Sequence, residues 1–548
     1  MSIEKGLLAN EDINFGVGTF TRKGRTGFPI TVTQVSDLIA GTSGPLIDAR
    51  RYTLFTDAVA AAVGKTLLLA AAVSLDANTT IGASTSLLVL QSGVISASGF
   101  TLTINGPPVN NPTHQWLSGF AAGEVLLGTN IEEIPIEWVG GGTGKTAAQN
   151  YNAVTVALAT KTDWPIIKFG LGEYVISHAT LPCVKVAKRG GIRGVVMTPY
   201  AAATSTILRN TGTTDCMEFD TPGFSSFIED ITLQGNSLSG IGLVLDNADN
   251  TRVTNVMLGD YSDASRGHGS HGLRIKKYSY WSRFENFWSC RNGGDGINIG
   301  TVYSEPTNDI RFRDVSVLNN AGRGIYAKGV QTLSFVGSAD VEGNGGLGVH
   351  LDTDCYIVST DNFWIEGNNG GLAAEQIRID GGQISAHHRI RGALVGLGGI
   401  NVISGNYIEI VNASANGGWV TLGANTSYCV VDLLDSTAVI TDNGAWNQFR
   451  SHQLALAPRS TNYIMTGTDG VAYIEATSSA TITLPPCNGS RIRTVTIAKG
   501  DTSGTITIQR AGSDTIVGGT SITMTGQYSS RVLVGSDGRW IIAASVGS

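Results

Sequence analysis

An imperfect internal repeat constrains this chain more than any other feature. Five glycine-led units recur: Gly242-Leu243-Val244-Leu245, Gly272-Leu273-Arg274-Ile275, Gly296-Ile297-Asn298-Ile299, Gly324-Ile325-Tyr326-Ala327 and Gly348-Val349-His350-Leu351. Their glycines step by 30, 24, 28 and 24 residues. A second register keeps the same beat: Leu318-Asn319-Asn320, Glu342-Gly343-Asn344 and Glu366-Gly367-Asn368 are 24 residues apart. A period of roughly 20 to 50 residues marks a solenoid or an array. Here each unit holds short alternating strands divided by Gly and Asn turns, with no room for a helix. The pattern predicts an all-β chain built on a right-handed parallel β-helix, whose coils bury their inward faces only by stacking. The longer steps require longer loops, most simply Asp260–His271 and Tyr303–Asp309, rimming one side.

Composition agrees with the repeat. Charged residues are 15% of the 548, and glycine supplies 71 positions. Stacked apolar coils turned by Gly and Asn need few charges. The same figures exclude a disordered chain, a coiled coil and collagen. A net charge of -7 without a basic run argues against nucleic acid as a partner. No apolar run is long enough to span a bilayer, so membrane insertion is not expected. Met1-Ser2-Ile3-Glu4-Lys5 opens no signal-peptide pattern, and the six scattered cysteines predict reduced, buried thiols. Val139-Gly140-Gly141-Gly142-Thr143-Gly144-Lys145-Thr146 is no phosphate loop, because valine stands where the first glycine is needed. Histidine spacing gives no zinc motif, and no cofactor is called for.

Four regions follow. Residues 1–46 form a polar leader too small for its own core. Residues 47–145 are β-rich with a helical stretch at Leu54–Val63. Residues 146–455 hold the β-helix, after a helix over Ala147–Ala159. Residues 456–548 alternate Thr, Ser, Ile and Val, as in Thr505-Ile506-Thr507-Ile508, and predict an antiparallel sandwich-like β-domain that caps the solenoid.

Two stretches carry a resemblance. Ile136-Glu137-Trp138 through Gly170-Leu171-Gly172-Glu173-Tyr174-Val175-Ile176-Ser177 resembles the start of pectate-lyase-like β-helices in bacteriophage tailspikes. Ile482-Thr483-Leu484-Pro485-Pro486 and Val534-Gly535-Ser536-Asp537-Gly538-Arg539-Trp540 resemble a module at the end of phage tail fibres and spikes. The resemblance implies a homotrimer located in the virion tail, made in the host cytoplasm and acting at the bacterial cell surface. It also implies attachment to the phage tail or an adaptor protein through the N-terminus, and a host capsular or O-antigen polysaccharide as substrate. It does not fix catalytic residues.

Strand alternation nominates them. With Val341 and Ile365 pointing inward, Asp340, Glu342, Trp364 and Glu366 point outward, and the 24-residue step stacks Glu366 on Glu342 and Trp364 on Asp340. Coils lie about 4.7–4.9 Å apart. Stacked carboxylates approach the ~5–5.5 Å of a retaining glycosidase, and the diagonal pair Asp340 and Glu366 suits the ~6.5–9.5 Å of an inverting one. Crowding should raise one carboxyl's pKa. Trp364 offers a ring face to a sugar, and Asp361 is a spare acid. The plainer alternative is a solvated polar ladder at the turns. On the glycine-led strands, Arg274, Lys276, Tyr326, Lys328 and His350 assemble what a lyase needs: cations for a uronate and a base for its α-proton. Trp281, with Tyr278, Tyr280 and Trp288, is either a sugar platform or a subunit contact. The favoured function is endo-acting hydrolysis of a surface polysaccharide through a carboxylate pair. β-Elimination and a non-catalytic glycan-binding adhesin are the alternatives. A secreted pectinolytic enzyme is disfavoured by the missing signal pattern.

Overall fold

The computed structural model describes residues 46–547 apart from 107, 200–203, 224, 301–306, 372–373, 382–386, 392–393, 396–397, 414–417, 434–438, 445–446, 452–461, 466–470, 475–478, 488–492 and 501–503. The leader up to residue 45 and most of the Tyr303–Asp309 loop therefore lie outside the described residues. The chain divides into two compact units: Met1–Gly141 with Asn152–Ile167, and Gly142–Tyr151 with Lys168–Ser548.

The first unit contains the expected helix, at Phe55–Ala61, and three small parallel sheets. Successive turns each give one strand to each sheet: Thr66–Leu69, Ala72–Ser74 and Thr79–Ile81, then Ser86–Val89, Val94–Ser96 and Leu102–Ile104. Coil winding thus already operates in this unit, although its turns lack the glycine-led signature of the later repeat.

In the second unit the repeat becomes two long parallel sheets. The sheet of glycine-led strands runs from Val184–Val186 to Val439–Asp442 and has 11 strands among the described residues. The other sheet contains strands of up to 11 residues, such as Ser226–Gln234, Thr251–Gly259, Arg283–Cys290, Ile310–Leu318 and Thr332–Glu342. These long strands bend midway. Ile228 and Ile231, Val253 and Val256, and Phe284 and Phe287 all point inward at three-residue spacing, which a straight strand of period two cannot do. Between them stand Asp230, Asn255 and Asn286 with φ of 58°, 53° and 48°. Asn and Asp tolerate this left-handed conformation better than other side chains. Thr332–Glu342 accordingly pairs with two separate strands of the next coil, Ile357–Thr360 and Phe363–Glu366. Each coil therefore has three faces. The first precedes the bend, the second follows it, and the third is the glycine-led strand.

The second register has a structural meaning. Asn292, Asn320, Asn344 and Asn368 form a buried ladder at the turn from second to third face. Asn344 donates its amide to Val317 O at 3.0 Å and to Asn368 Oδ1 at 2.8 Å, and its own Oδ1 accepts from Asn320 N and Nδ2. This ladder explains the repeated glycine: a Cβ on Gly324 would lie 2.9 Å from the Asn344 amide nitrogen and 2.5 Å from a Val341 methyl. Inside the coils Phe284, Phe312 and Phe335 stack with ring centroids 4.4 and 5.0 Å apart. All six cysteines are free and buried.

The C-terminal region corrects one expectation. Its two sheets share a core of Ile482, Ile497, Ile506, Ile508, Leu533 and Trp540, but they are mixed rather than antiparallel. Tyr463–Ile464, Ala480–Thr483 and Ile506–Gln509 pair in parallel, as do Val471–Ile474 and Arg493–Lys499. Antiparallel pairing enters later, as in the hairpin Ser530–Ser536 with Arg539–Val546. Its turn, Asp537-Gly538, takes positive φ at both positions, as a two-residue hairpin requires. Alternating Thr and Ile mark a strand but not the direction of its neighbour.

One buried histidine makes the fold pH-sensitive. His268 bridges Ser239 Oγ at 3.2 Å and Leu233 O at 3.1 Å, and burial pushes its pKa down to about 4. The unfolded chain takes up this proton near pH 6.5, and the folded chain only near 4. Stability should therefore fall as pH drops through that window, by about 3 kcal/mol from this group. Urea midpoints at pH 7 and pH 4 check it: His268→Gln should narrow the difference, and an unchanged difference would refute the assignment.

Candidate active site

The second face carries the acidic group. Thr332–Glu342 and Phe363–Glu366 pair in parallel with Asp340 opposite Trp364 and Glu342 opposite Glu366, the stacking expected from the 24-residue step. Val341 and Ile365 anchor the two strands in the core. Asp340 is half-buried, two residues before Glu342 on the same strand and diagonal to Glu366, and its Oδ1 is buried with no hydrogen-bond partner among the described residues. Burial, and then the charges of Glu342 and Glu366, push its pKa up to about 6. Trp364 is 47% exposed, and its indole N–H donates to Glu366 Oε2 at 3.1 Å. That bond turns one carboxylate oxygen toward the ring while the ring face stays open. Asp361 sits apart, exposed in the corner that precedes this strand.

The carboxylate separations follow from the ladder. Glu342 and Glu366 are one coil apart, about 4.8 Å at the backbone. Asp340 and Glu366 are diagonal, about 7–8 Å apart. Sequence reasoning missed two members of this column. Trp288 pairs with Ser316, and Ser316 with Asp340, so the outward row reads Trp288, Ser316, Asp340, Trp364. The steps of 28, 24 and 24 residues contained that row.

The third face carries the cations. Arg274, Asn298, Tyr326, His350 and Arg378 succeed one another in register. Arg323, from the preceding turn, forms a forked pair with Asp295, lies 3.6 Å over the Tyr326 ring, and donates to His350 Nδ1 at 3.2 Å. His350 Nε2 meets Asp380 Oδ2 at 2.8 Å, so both ring nitrogens are engaged. Tyr326 donates its hydroxyl to Asp352 at 2.7 Å, and Lys328 lies 3.7 Å from the same carboxylate. Burial and then this acceptor push the Tyr326 pKa up. Of the residues that the sequence groups, Arg274, Tyr326 and His350 share one outward row with Lys328 two residues on from Tyr326, while Lys276 is paired with Asp246 at 3.1 Å; the sequence reading did not name Arg323, Asp295, Asp380 or Arg378. Arg323 lies in a turn, and no glycine-led unit announces the Arg378 strand. Trp281, 56% exposed, packs on Tyr280 in the turn before the first face. It is thereby separated from Trp288, which the long strand carries to the second face. Among the described residues no group of three or more His, Cys, Asp or Glu is arranged to hold a metal ion.

No protein-family model matches this chain, and no curated protein matches it in sequence. Its structural neighbours include phage tailspikes and carbohydrate-modifying enzymes. The full-length tailspike protein 2 of an Escherichia coli O157:H7 bacteriophage is 9% identical, with a TM-score of 0.36 over 66% of this chain and 43% of that one. This chain thus spans under half the length of that tailspike. A protein of Geobacillus virus E2 is 11% identical, with a TM-score of 0.30 over 73% and 68% of the two chains. The mannuronan C-5 epimerase A-module AlgE6 of Azotobacter vinelandii is 15% identical, with a TM-score of 0.35 over 69% and 99%. Likeness at this level says nothing of chemistry, and the parallel β-helix itself rests on the strand pairing above.

Proposed function

We propose that this protein is a phage tailspike depolymerase that hydrolyses a host surface polysaccharide, with Asp340 as proton donor and Glu366 as base. The observation that carries the reading is the juxtaposition on the second face: a half-buried Asp340 next to Glu342 and diagonal to Glu366, opposite an exposed Trp364 that holds Glu366. In this reading Asp340 gives its proton to the glycosidic oxygen as the bond to the anomeric carbon breaks. Glu366 takes a proton from the water that attacks that carbon from the opposite side. Glu342 keeps Asp340 protonated and stabilises the positive charge developing on the sugar ring. The diagonal separation fits inversion, because it leaves room for the water.

Elimination is less well supported. Its base would be Tyr326 or His350, and each is committed to a carboxylate, Asp352 or Asp380. The resemblance to tailspikes also suggests a homotrimer, attached to the phage tail or an adaptor through residues 1–46, with 47–145 leading into a catalytic 146–455 and a C-terminal trimerising or glycan-binding 456–548. Light scattering that reports a monomer would contradict the assembly.

The reading has a pH signature. A general acid must be protonated to act, so turnover should fall above about pH 6 as Asp340 ionises. Incubation with a panel of purified capsular and O-antigen polysaccharides should shorten one of them to discrete oligosaccharides. Binding with unchanged polymer size would leave the adhesin.

A further inference from the structure

The third face carries one cation that the described residues leave without an acid. Its neighbours are matched: Lys276 with Asp246 at 3.1 Å, Arg323 with both oxygens of Asp295, Lys328 with Asp352 at 3.7 Å, and Arg378 with Glu375 by a fork. Arg274 stands in the same outward row as Tyr326 and is half-buried. Its Nε is buried with no hydrogen-bond partner among the described residues. A buried guanidinium N–H without an acceptor is costly, and a ligand that supplies one recovers that cost. Beside Arg274 the face has a notch. Lys276, Gly300 and Lys328 follow one another on successive coils, so the glycine leaves a gap between two lysines. A Cβ on Gly300 would lie 3.0 Å from Asn298 Oδ1 and 3.9 Å from both Arg274 Nη2 and the edge of the Tyr326 ring.

The walls of the notch select its occupant. Asn298 gives its amide N–H to Asp295 Oδ2 at 2.6 Å, which leaves its Oδ1, an acceptor, turned toward Gly300. Arg274 offers donors and a positive charge. Tyr326 offers a ring edge, with Arg323 lying 3.6 Å over the ring face. An occupant must bring an anionic acceptor for Arg274 and, close by, a donor for Asn298. We infer that the notch at Gly300 binds a hydroxy-carboxylate, with Arg274 on the carboxylate and Asn298 Oδ1 accepting from the hydroxyl. A carboxylate matches one unpaired guanidinium in charge and takes its N–H groups in a planar fork. The site binds and does not react: Tyr326, which borders it, already donates its hydroxyl to Asp352. A small free acid and an acidic sugar share this chemistry, and the test separates them. The site is independent of the hydrolase reading, whose acids stand on the second face.

Calorimetry on the full chain at low salt tests it with glycolate, glucuronate, acetate and glucose. Glycolate and glucuronate should each bind saturably at one site per chain. Acetate should bind about tenfold more weakly for want of the hydroxyl, and glucose not at all. Arg274→Gln removes the charge, and Gly300→Leu fills the notch while leaving Arg274 in place. Each should weaken both acids by about tenfold or more, with thermal melts showing that the fold is kept. Arg274→Lys keeps the charge without the fork and should restore only part of the affinity. Glucuronate binding more tightly than glycolate identifies an acidic sugar as the occupant, and equal affinities identify a small free acid. Acetate as tight as glycolate, affinities unchanged in both Arg274→Gln and Gly300→Leu, or no saturable binding of either acid overturns the inference. So does binding that appears only in Glu305→Gln, which removes the acid five residues after Gly300 and would show that the chain's own carboxylate holds Arg274. Cleavage of the polysaccharide panel is read separately, so a failure of the hydrolase reading leaves these titrations standing.

Discussion

Asp340→Asn is expected to lower depolymerase turnover about 100- to 10,000-fold, the usual contribution of a positioned general acid. The amide keeps the shape of the side chain but cannot give a proton to the leaving oxygen. A purely structural aspartate would behave in the opposite way, with little loss of turnover and a less stable fold. Here burial and two neighbouring carboxylates make the ionised form of Asp340 unfavourable, since its pKa is raised to about 6. The native chain is therefore penalised as pH rises from near 4 through 6, and the asparagine variant is not. Above pH 6 the variant should be at least as stable as the parent while being nearly inactive. Thermal melts and initial rates on the same preparations read both effects. Full activity in the variant would remove Asp340 from the chemistry. Glu366→Gln should lose turnover to a similar degree, and Glu342→Gln less, because Glu342 acts on the charge of its neighbour.

Asn344→Ala should destabilise the solenoid by about 3–5 kcal/mol, more than any surface change. The truncation orphans Asn320 N and removes one partner each from Val317 O and the Asn320 side-chain amide, which keeps Ser289 O, all inside the coil. Water cannot reach them without opening the turn. Because each coil touches only its neighbours, the loss should be local first, with hydrogen exchange rising in the coils around residues 317–325 and 344–349 before the rest unfolds. Uniform exchange at parental rates would show that the ladder is not a source of stability.

The repeat made the second-face stacking legible because a coil of fixed length converts sequence spacing directly into spatial neighbours. Glu342 over Glu366 and Asp340 beside Trp364 needed only the 24-residue step and alternation about Val341 and Ile365. The same arithmetic does not show what crosses between turns and faces. Arg323 reaches Asp295 and His350 from a turn, and no periodicity places an arginine's long side chain. The bend within the long strands was also hidden, since Asn255 and Asn286 read as strand interior until their φ is known. Roles drawn from the lyase kit fared differently. The residues do cluster, but Tyr326 and His350 are held by Asp352 and Asp380, a matter of hydrogen-bond geometry that composition cannot carry.

The central claim is hydrolysis at the second face, and the masses of the products test it most directly. Each hydrolytic cut adds one water across the broken bond, whereas elimination adds none and leaves an unsaturated uronate at the new non-reducing end. Mass spectrometry of oligosaccharides released from the susceptible polysaccharide should therefore show saturated chains one water heavier than the sum of their residues, and none should form with Asp340→Asn. Products that lack that water and absorb in the ultraviolet would contradict the account and move the chemistry to the third face.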